Sequence, residues 1–200
     1  VARHEALHDP LTGLPNRAAL FAEVERLAKQ PGEGVAVAFA DLDGFKEVND
    51  TYDHATGDRL IKAVAAGLSH LATGIGSVYR LGGDEFVLLF SGADAVDQAR
   101  RTAECFIAFL RAPFDFEGRQ AAVGVSAGIA SSGDGPVDAQ ELMRRADVAM
   151  YRAKFQGKNR CCVYSSDFDL ERVETNEIAA ELRGIITDRL IDVAYQPVVD

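Results

Sequence analysis

The most informative stretch of this chain places two acidic residues directly after a pair of glycines. Gly82 and Gly83 separate two apolar runs, and Asp84 and Glu85 open the second run. This pattern predicts a tight β-hairpin, and a tip without side chains lets a ligand approach the backbone closely. Carboxylates at the mouth of an apolar hairpin need compensation, which a divalent cation such as Mg2+ provides.

A second acidic cluster lies upstream and changes the interpretation of the first. Asp41 and Asp43 follow the apolar run Val35–Ala40, which predicts a strand buried on both faces. The hairpin acids alone would be read as a solvated turn. Two acidic clusters at the ends of neighbouring strands instead predict a site for one or two Mg2+ ions, suited to in-line attack on phosphorus. Asp41 is the better metal ligand, and a turn or capping role is favoured for Asp43.

Composition limits the classes of function. The chain has 200 residues, of which 48% are hydrophobic, so one substantial core plus an appendage is expected. A net charge of −10 disfavours binding to nucleic acid or to an anionic membrane. A nucleoside triphosphate remains compatible, because metal ions and a few lysines neutralise phosphates locally. Three cysteines without C-x-x-C spacing indicate reduced thiols and a cytoplasmic location. No signal peptide or membrane-spanning stretch is present.

The elements that must position these acids follow from hydrophobic spacing. Helices are predicted after the capping residue Asn16, along Leu60–Leu71, along Val96–Leu110, and from a capping box of Asp138 and Glu141, with Val137 as a staple residue, to near Gly157. Strands are predicted at Val35–Ala40, on both sides of the hairpin tip, at Ala121–Ala130 and at Cys161–Tyr164. The predicted fold class is α+β, with a mixed central β-sheet flanked by helices.

Five motifs, in order, resemble the GGDEF family of diguanylate cyclases. They are His8–Arg17, Phe45–Asp50, His54 with Gly57 and Asp58, Gly82–Phe86, and Tyr151–Arg160. The resemblance implies a fold like that of nucleotidyl cyclases and the polymerase palm. It also implies the condensation of two GTP molecules into cyclic di-GMP by two domains that face each other as a homodimer.

The resemblance assigns the acidic residues to metal binding and catalysis. Asp41, the Leu42 carbonyl, Asp84 and Glu85 are the implied ligands of Mg2+, with Mn2+ as an alternative. Asp84 and Glu85 are the implied catalytic residues, and Asp84 occupies the position credited with deprotonating the attacking ribose hydroxyl. An Asp with an ordinary pKa is a weak base, so activation of the hydroxyl by the metal is the better physical account.

The resemblance also implies a set of GTP-binding residues. These are the backbone N–H groups of Phe45 and Lys46, the guanine-reading pair Asn49 and Asp58, His54, Gly83 at the hairpin tip, and the phosphate-binding Lys154 and Lys158. The two lysines are four residues apart, which predicts that they share one helix face. For His54, a hydrogen bond to the backbone at a helix start is an equal alternative.

Two departures from the family pattern are visible. Asp53 stands where the family usually has Gly before the histidine, which raises the question of a positive φ at that residue. Residues 73–76 read Thr-Gly-Ile-Gly where the product-inhibition motif Arg-x-x-Asp would lie, so that motif is absent.

Three segments are expected along the chain. Residues 1–7 are the expected end of a connecting helix from an upstream sensory domain, which could also anchor the protein to a membrane. Residues 8–164 form the GGDEF domain. Residues 165–200 are the expected linker helix and first strand of an EAL phosphodiesterase domain, because Glu181–Arg183 and Tyr195–Asp200 resemble the opening of such a domain. The alternative function is a GTP-binding regulatory module for that attached domain.

Overall fold

The computed structural model describes residues 6–30, 34–133 and 138–169. The chain divides into two units, Val1–Tyr164 and Ser165–Asp200. The predicted staple residue Val137, the tail helix beyond Asp169 and the terminal strand lie outside the described residues. None of the described helices is both long and apolar enough to cross a membrane.

The first unit alternates helices and strands. In chain order its elements are α1 (Arg17–Ala28), β1 (Val35–Asp43), α2 (Phe45–Thr51), α3 (His54–Leu71), β2 (Ser77–Gly82), β3 (Glu85–Ser91), α4 (Ala95–Phe109), β4 (Phe114–Phe116), β5 (Arg119–Ala121), β6 (Gly124–Ser131), α5 (Ala139–Phe155) and β7 (Cys161–Val163). Five strands form the central sheet in the order β2-β3-β1-β6-β7, while β4 and β5 form a separate hairpin. Strands β6 and β7 are parallel and the other pairs are antiparallel, so the predicted mixed sheet flanked by helices is confirmed.

Strand β1 is central and is buried on both faces. Its even-numbered residues, such as Ala38 and Leu42, pack in one core with α3 and α4. Its odd-numbered residues, such as Val37 and Phe39, pack in a second core with α1 and α5. Because side chains alternate along a strand, the carboxylates that follow at the end of β1 continue the second face, on the side of α5.

Helix α5 packs unusually close to β6 because of one glycine. A Cβ atom at Gly128 would overlap the carbonyl oxygen of Ala146 and the backbone nitrogen of Met150. The missing side chain therefore lets the helix backbone lie directly on the sheet. This close approach fixes the distance from which α5 residues reach the end of β1.

The structure corrects two predicted strand boundaries and adds one hairpin. Strand β1 continues through Asp43, because Asp41–Asp43 pair with β6. Ala121 does not open the long strand, which begins at Gly124. It closes the β4–β5 hairpin, which the sequence analysis missed. Glu117 and Gly118 both have positive φ in the turn of this hairpin. The dipeptide Glu-Gly between the two short strands is therefore the sequence feature that could have predicted the hairpin.

Helix starts follow the predicted caps. Asn16 accepts hydrogen bonds from the backbone nitrogens of Ala18 and Ala19, and Asp138 accepts one from Glu141. The Glu141 carboxylate accepts from Arg144 and Arg145, and these hydrogen bonds lower the pKa of Glu141 to about 2.

Candidate active site

Three carboxylates meet where β1 ends and β3 begins. Asp41 is the direct antiparallel partner of Glu85, so the two side chains lie on the same face of the sheet. The backbone nitrogen of Leu42 donates to the Asp84 carbonyl over 3.3 Å, which ties the hairpin tip to the end of β1. The tertiary structure therefore brings together Asp41, Leu42, Asp84 and Glu85, as the sequence analysis expected.

Two of these acids, Asp84 and Glu85, hold their protons more tightly than ordinary carboxylates. Burial and the nearby charge of Asp41 raise the pKa of Asp84. Burial and Asp41 also raise the pKa of Glu85, although Arg17 opposes that shift. Burial, together with the nearby like charge, therefore makes the Asp84 carboxylate a stronger base than an ordinary Asp in the absence of metal.

Lys154 of α5 supplies a cation to this cluster. Its Nζ atom lies 2.6 Å from Oδ1 of Asp41, whose side chain is only 16% exposed. Among the described residues, no group of three or more His, Cys, Asp or Glu side chains is arranged to hold a metal ion. The donor set nevertheless fits a hard divalent cation, since it consists of carboxylate oxygens brought together at paired positions of two neighbouring strands.

Lys158 does not share a helix face with Lys154, contrary to the prediction. Helix α5 ends at Phe155 because Gly157 adopts a φ of 109°. Gly157 donates to the carbonyl of Lys154, and Lys158 donates to that of Ala153, which is the Schellman pattern. Lys158 therefore lies in the turn after the helix, with its side chain exposed.

The proposed guanine-reading residues lie on two adjacent helices. Asn49 is on the short helix α2, and Asp58 is near the start of α3. A Cβ atom at Gly57 would overlap the Asn49 side chain, so the Asn49 amide lies against the backbone just before Asp58. Gly44, with a φ of 88°, opens α2 and places Phe45 and Lys46 in its first turn, where backbone N–H groups have no partner within the helix.

Asp53 needs no left-handed backbone. Its φ is −174°, and its side chain caps α3 by accepting from the Thr56 nitrogen over 2.6 Å. It also pairs with Arg119 at 3.1 Å, and the Thr56 hydrogen bonds with this pair lower the pKa of Asp53. The neighbouring His54 is exposed, and no hydrogen bond between its side chain and the backbone occurs in the described part of the chain. The structure thus places His54 at a helix start, as the alternative expected, with its side chain exposed to solvent.

Two structural supports of the site were not predicted from the sequence. Arg80 holds the hairpin tip to the N-terminal segment through Gly83 and Asp9, although an arginine before Gly-Gly was a visible signal. The β4–β5 hairpin is tied to the α2–α3 region, because the Tyr52 hydroxyl donates to the Gln120 carbonyl over 3.0 Å. Neither link follows from local spacing.

The fold and these carboxylates define an α+β domain that presents acids at the paired ends of two internal strands of a mixed sheet. Residues 6–160 match the family model of the GGDEF domain of diguanylate cyclases, so the chain belongs to the GGDEF family. The bifunctional diguanylate cyclase/cyclic di-GMP phosphodiesterase MucR of Pseudomonas aeruginosa is 39% identical over 198 residues, which cover 97% of this chain and 29% of MucR. The first relatives found are all much longer, and the chain spans 24–29% of their length.

Two solved structures share the fold at meaningful identity. The GGDEF domain of TpbB (YfiN) from Pseudomonas aeruginosa has a TM-score of 0.75 and 33% identity, covering 84% of this chain and 99% of that one. The GGDEF domain of DgcB from Caulobacter crescentus, in complex with c-di-GMP, has a TM-score of 0.73 and 32% identity. The match covers 79% of this chain and 95% of the DgcB chain.

Proposed function

We propose that this chain is a diguanylate cyclase domain that converts two GTP molecules into cyclic di-GMP and two pyrophosphates. The ribose 3′-hydroxyl of each GTP attacks the α-phosphorus of the other, and the bond to pyrophosphate breaks. The observation that carries the proposal is the pairing of Asp41 with Glu85, with Asp84 beside them, in a chain of the GGDEF family. Since GTP is a cytoplasmic substrate, we place the domain in the cytoplasm.

The acids form the catalytic part of the proposed site. Asp41, the Leu42 carbonyl, Asp84 and Glu85 would hold Mg2+ or Mn2+, which supplies a Lewis acid for the phosphate and lowers the pKa of the ribose hydroxyl. Asp84 directly follows the Gly83 tip, and its carboxylate would accept the hydroxyl proton once the metal has lowered the pKa of that hydroxyl.

The remaining predicted residues bind GTP. Asn49 and Asp58 pair with the guanine edge, and His54 lies beside them at the start of α3. The N–H groups of Phe45 and Lys46 face the phosphates, and Lys158 contributes a positive charge from its turn. Guanine offers a ring N–H and an adjacent exocyclic amine, and Asp58 would accept a hydrogen bond from each. Adenine lacks this pair of neighbouring donors, so ATP would leave polar groups of the site unpaired.

Lys154 has a role that depends on the ligand. In the structure it neutralises Asp41 over 2.6 Å. When GTP binds, the ammonium group of Lys154 would move from Asp41 to the triphosphate. Asp41 would then be free to bind the metal ion. Lys154→Gln should therefore weaken GTP binding and strengthen Mg2+ binding in the absence of nucleotide. Calorimetric titration of each ligand alone measures both effects.

One domain supplies one GTP-binding site, so catalysis requires a homodimer in which two sites face each other. The test is to incubate the purified chain with GTP and Mg2+ and to separate the products by chromatography. We expect cyclic di-GMP, with a specific activity that rises with protein concentration by mass action. An activity that is independent of concentration, in a protein that is monomeric by light scattering, would contradict the dimer.

Two variants make this assay specific. Asp84→Asn should reduce turnover by about 100-fold or more while the far-ultraviolet circular dichroism stays unchanged. The matched control is Asp97→Asn, because Asp97 is an exposed acid on α4, which follows the end of β3 opposite the hairpin tip. Undiminished turnover in Asp84→Asn would reject the assignment.

A second candidate function is a GTP-binding regulatory module of an attached EAL phosphodiesterase domain. The observation that favours it is the match to MucR, named as bifunctional, which extends over 198 residues and thus beyond the family match that ends at residue 160. In this proposal residues 165–200 connect to the EAL domain, and residues 1–7 connect to a sensory domain. GTP binding without cyclic di-GMP formation, together with GTP-dependent phosphodiesterase activity in a longer protein, would favour the regulatory function.

A further inference from the structure

The turn that carries Lys158 has an unusual backbone. Gly157, Lys158 and Asn159 have φ angles of 109°, 62° and 50° in succession. Within the described residues, Lys158 and Asn159 are two of the three non-glycine residues with positive φ. Such a backbone persists only where surrounding contacts impose it, and it is concentrated at functional sites.

The Schellman hydrogen bonds hold Gly157 and Lys158, and Asp43 supplies the side-chain contact that holds the next residue of the turn, Asn159. The Oδ2 atom of Asp43 accepts a hydrogen bond from the Asn159 nitrogen over 3.0 Å and another from the Ser126 hydroxyl over 2.8 Å. Asp43 is two residues beyond Asp41 on the same face of β1. One carboxylate therefore ties the Lys158 turn to the strand that carries a proposed metal ligand.

A glycine on the neighbouring strand makes room for this arrangement. Gly124 of β6 is the direct partner of Asp43. A Cβ atom at Gly124 would lie 3.3 Å from Oδ1 of Asn159, so the Asn159 side chain lies over the position that a larger residue would fill. The turn is thus seated on the ends of both β1 and β6, beside an open cavity lined by Asp43, Arg111, Gly124, Lys158 and Asn159, among others.

We infer that Asp43 is a positioning residue for GTP, because it holds the Lys158–Asn159 turn in the conformation that presents Lys158 to the triphosphate. The inference rests on the proposed phosphate-binding role of Lys158. Asp43 itself acts through the turn and not on the substrate. Without it the Asn159 N–H loses its acceptor, the turn relaxes, and Lys158 must be ordered again each time GTP binds.

The expected kinetic signature is a change in KM. Lys158 contacts phosphates in both the bound substrate and the transition state, so its misplacement weakens both equally. Asp43→Ala should therefore raise KM for GTP roughly tenfold, as for a lost hydrogen bond to a charged group, with kcat changed much less. Asp43→Asn should restore most of the affinity, because its amide oxygen accepts the same two hydrogen bonds.

A double-mutant comparison tests whether Asp43 acts through Lys158. The variants Asp43→Ala, Lys158→Ala and their combination are assayed against GTP at saturating Mg2+ and a fixed protein concentration. The double variant should bind GTP no more weakly than Lys158→Ala alone. Amide hydrogen exchange by NMR gives a readout that is independent of activity, since the Asn159 N–H should exchange faster in Asp43→Ala and not in Asp43→Asn.

Two further variants keep the test decisive. Ser126→Ala removes the other donor to Asp43 and leaves the Asn159 bond, so KM should remain unchanged. Gly124→Ala leaves Asp43 intact but crowds Asn159, so it should raise KM in a Lys158-dependent way even if Asp43→Ala does not fold.

Several outcomes would overturn the inference. An additive double variant, or an unchanged KM in Asp43→Ala beside a raised KM in Lys158→Ala, rejects the positioning role alone. A change confined to the Mg2+ requirement would make Asp43 a metal ligand instead. An unchanged KM in Lys158→Ala rejects the phosphate-binding role of Lys158, and the inference with it.

Discussion

Arg80 joins the N-terminal segment to the Gly82–Gly83 tip through one guanidinium group. Nη1 donates to Oδ1 of Asp9 over 2.7 Å, while Nη2 and Nε donate to the Gly83 carbonyl over 2.7 and 3.2 Å. The side chains of Arg80 and Asp9 are only 9% and 14% exposed, so the pair is largely shielded from water. The tip that presents Asp84 is therefore held by a residue pair 71 positions apart in the chain.

Breaking this pair should destabilise the domain. Arg80→Gln leaves the Asp9 carboxylate buried without its cation, which costs about 3 kcal/mol in the free energy of unfolding. Urea denaturation measures this loss. Arg26→Gln is the control, because it breaks the exposed Glu23–Arg26 pair and should change stability by less than about 0.5 kcal/mol. Equal losses in the two variants would show that the Arg80 pair is no stronger than a surface ion pair.

The same pair predicts a sensitivity to acid. Burial opposes ionisation of Asp9, but hydrogen bonds from Thr12 and Arg80 outweigh it and hold the pKa of Asp9 below its ordinary value of 3.8. A carboxyl with a lowered folded-state pKa stabilises the protein above its unfolded pKa, and this contribution is lost as pH falls through the folded value. The free energy of unfolding should therefore fall below about pH 4, and Asp9→Asn should flatten that part of the profile.

The active-site acids should show the opposite dependence. Because the pKa values of Asp84 and Glu85 are raised by burial and by Asp41, their contribution favours the folded state at low pH and is lost as pH rises through the folded values. Carboxyl NMR titration without metal should place both pKa values above ordinary Asp and Glu. Asp41→Asn removes the like charge and should lower both. Unchanged pKa values in Asp41→Asn would show that burial alone causes the shifts.

Selectivity for guanine should depend on Asn49 of α2 and Asp58 of α3. Asp58→Ala should weaken binding of a non-hydrolysable GTP analogue by about 1–3 kcal/mol and leave the matching ATP analogue unaffected. The control is Asp50→Ala, which removes an exposed carboxylate beside Asn49. Calorimetry measures the affinity of each analogue for the unmodified chain and for both variants. Equal binding of the two nucleotides by the unmodified chain would reject the reading of guanine by Asn49 and Asp58.

Product inhibition should be weak and purely competitive with GTP. Residues 73–76 form the closing turn of α3, in which Ile75 and Gly76 donate to the Ala72 carbonyl, and they offer no charged side chain to a cyclic dinucleotide. Substituting Thr73→Arg and Gly76→Asp should not create inhibition, because a Cβ atom at Gly76 would overlap the Phe90 ring. Inhibition by cyclic di-GMP that persists at saturating GTP would reveal another product site.

The sequence alone determined the features that depend on local pattern. The Gly-Gly hairpin, the doubly buried strand at Val35–Ala40 and the capping of α1 by Asn16 follow from backbone freedom, hydrophobic period and side-chain hydrogen bonding within a few residues. Since acids at strand ends share one edge when the strands are neighbours, the cluster of Asp41 and Glu85 could also be expected.

Only the tertiary structure decided which groups control those acids. The pairing of Lys154 with Asp41 depends on how closely α5 lies on β6, which Gly128 sets and no local pattern encodes. Lys158 does not lie on the predicted helix face, because Gly157 ends α5 before it. The turn that contains Lys158 is held by Asp43, which is 116 residues away from Asn159 in the chain. Contacts of such separation arise only when the sheet order brings strand ends and helix ends together. For this reason the charges and supports of the site could not be derived from spacing.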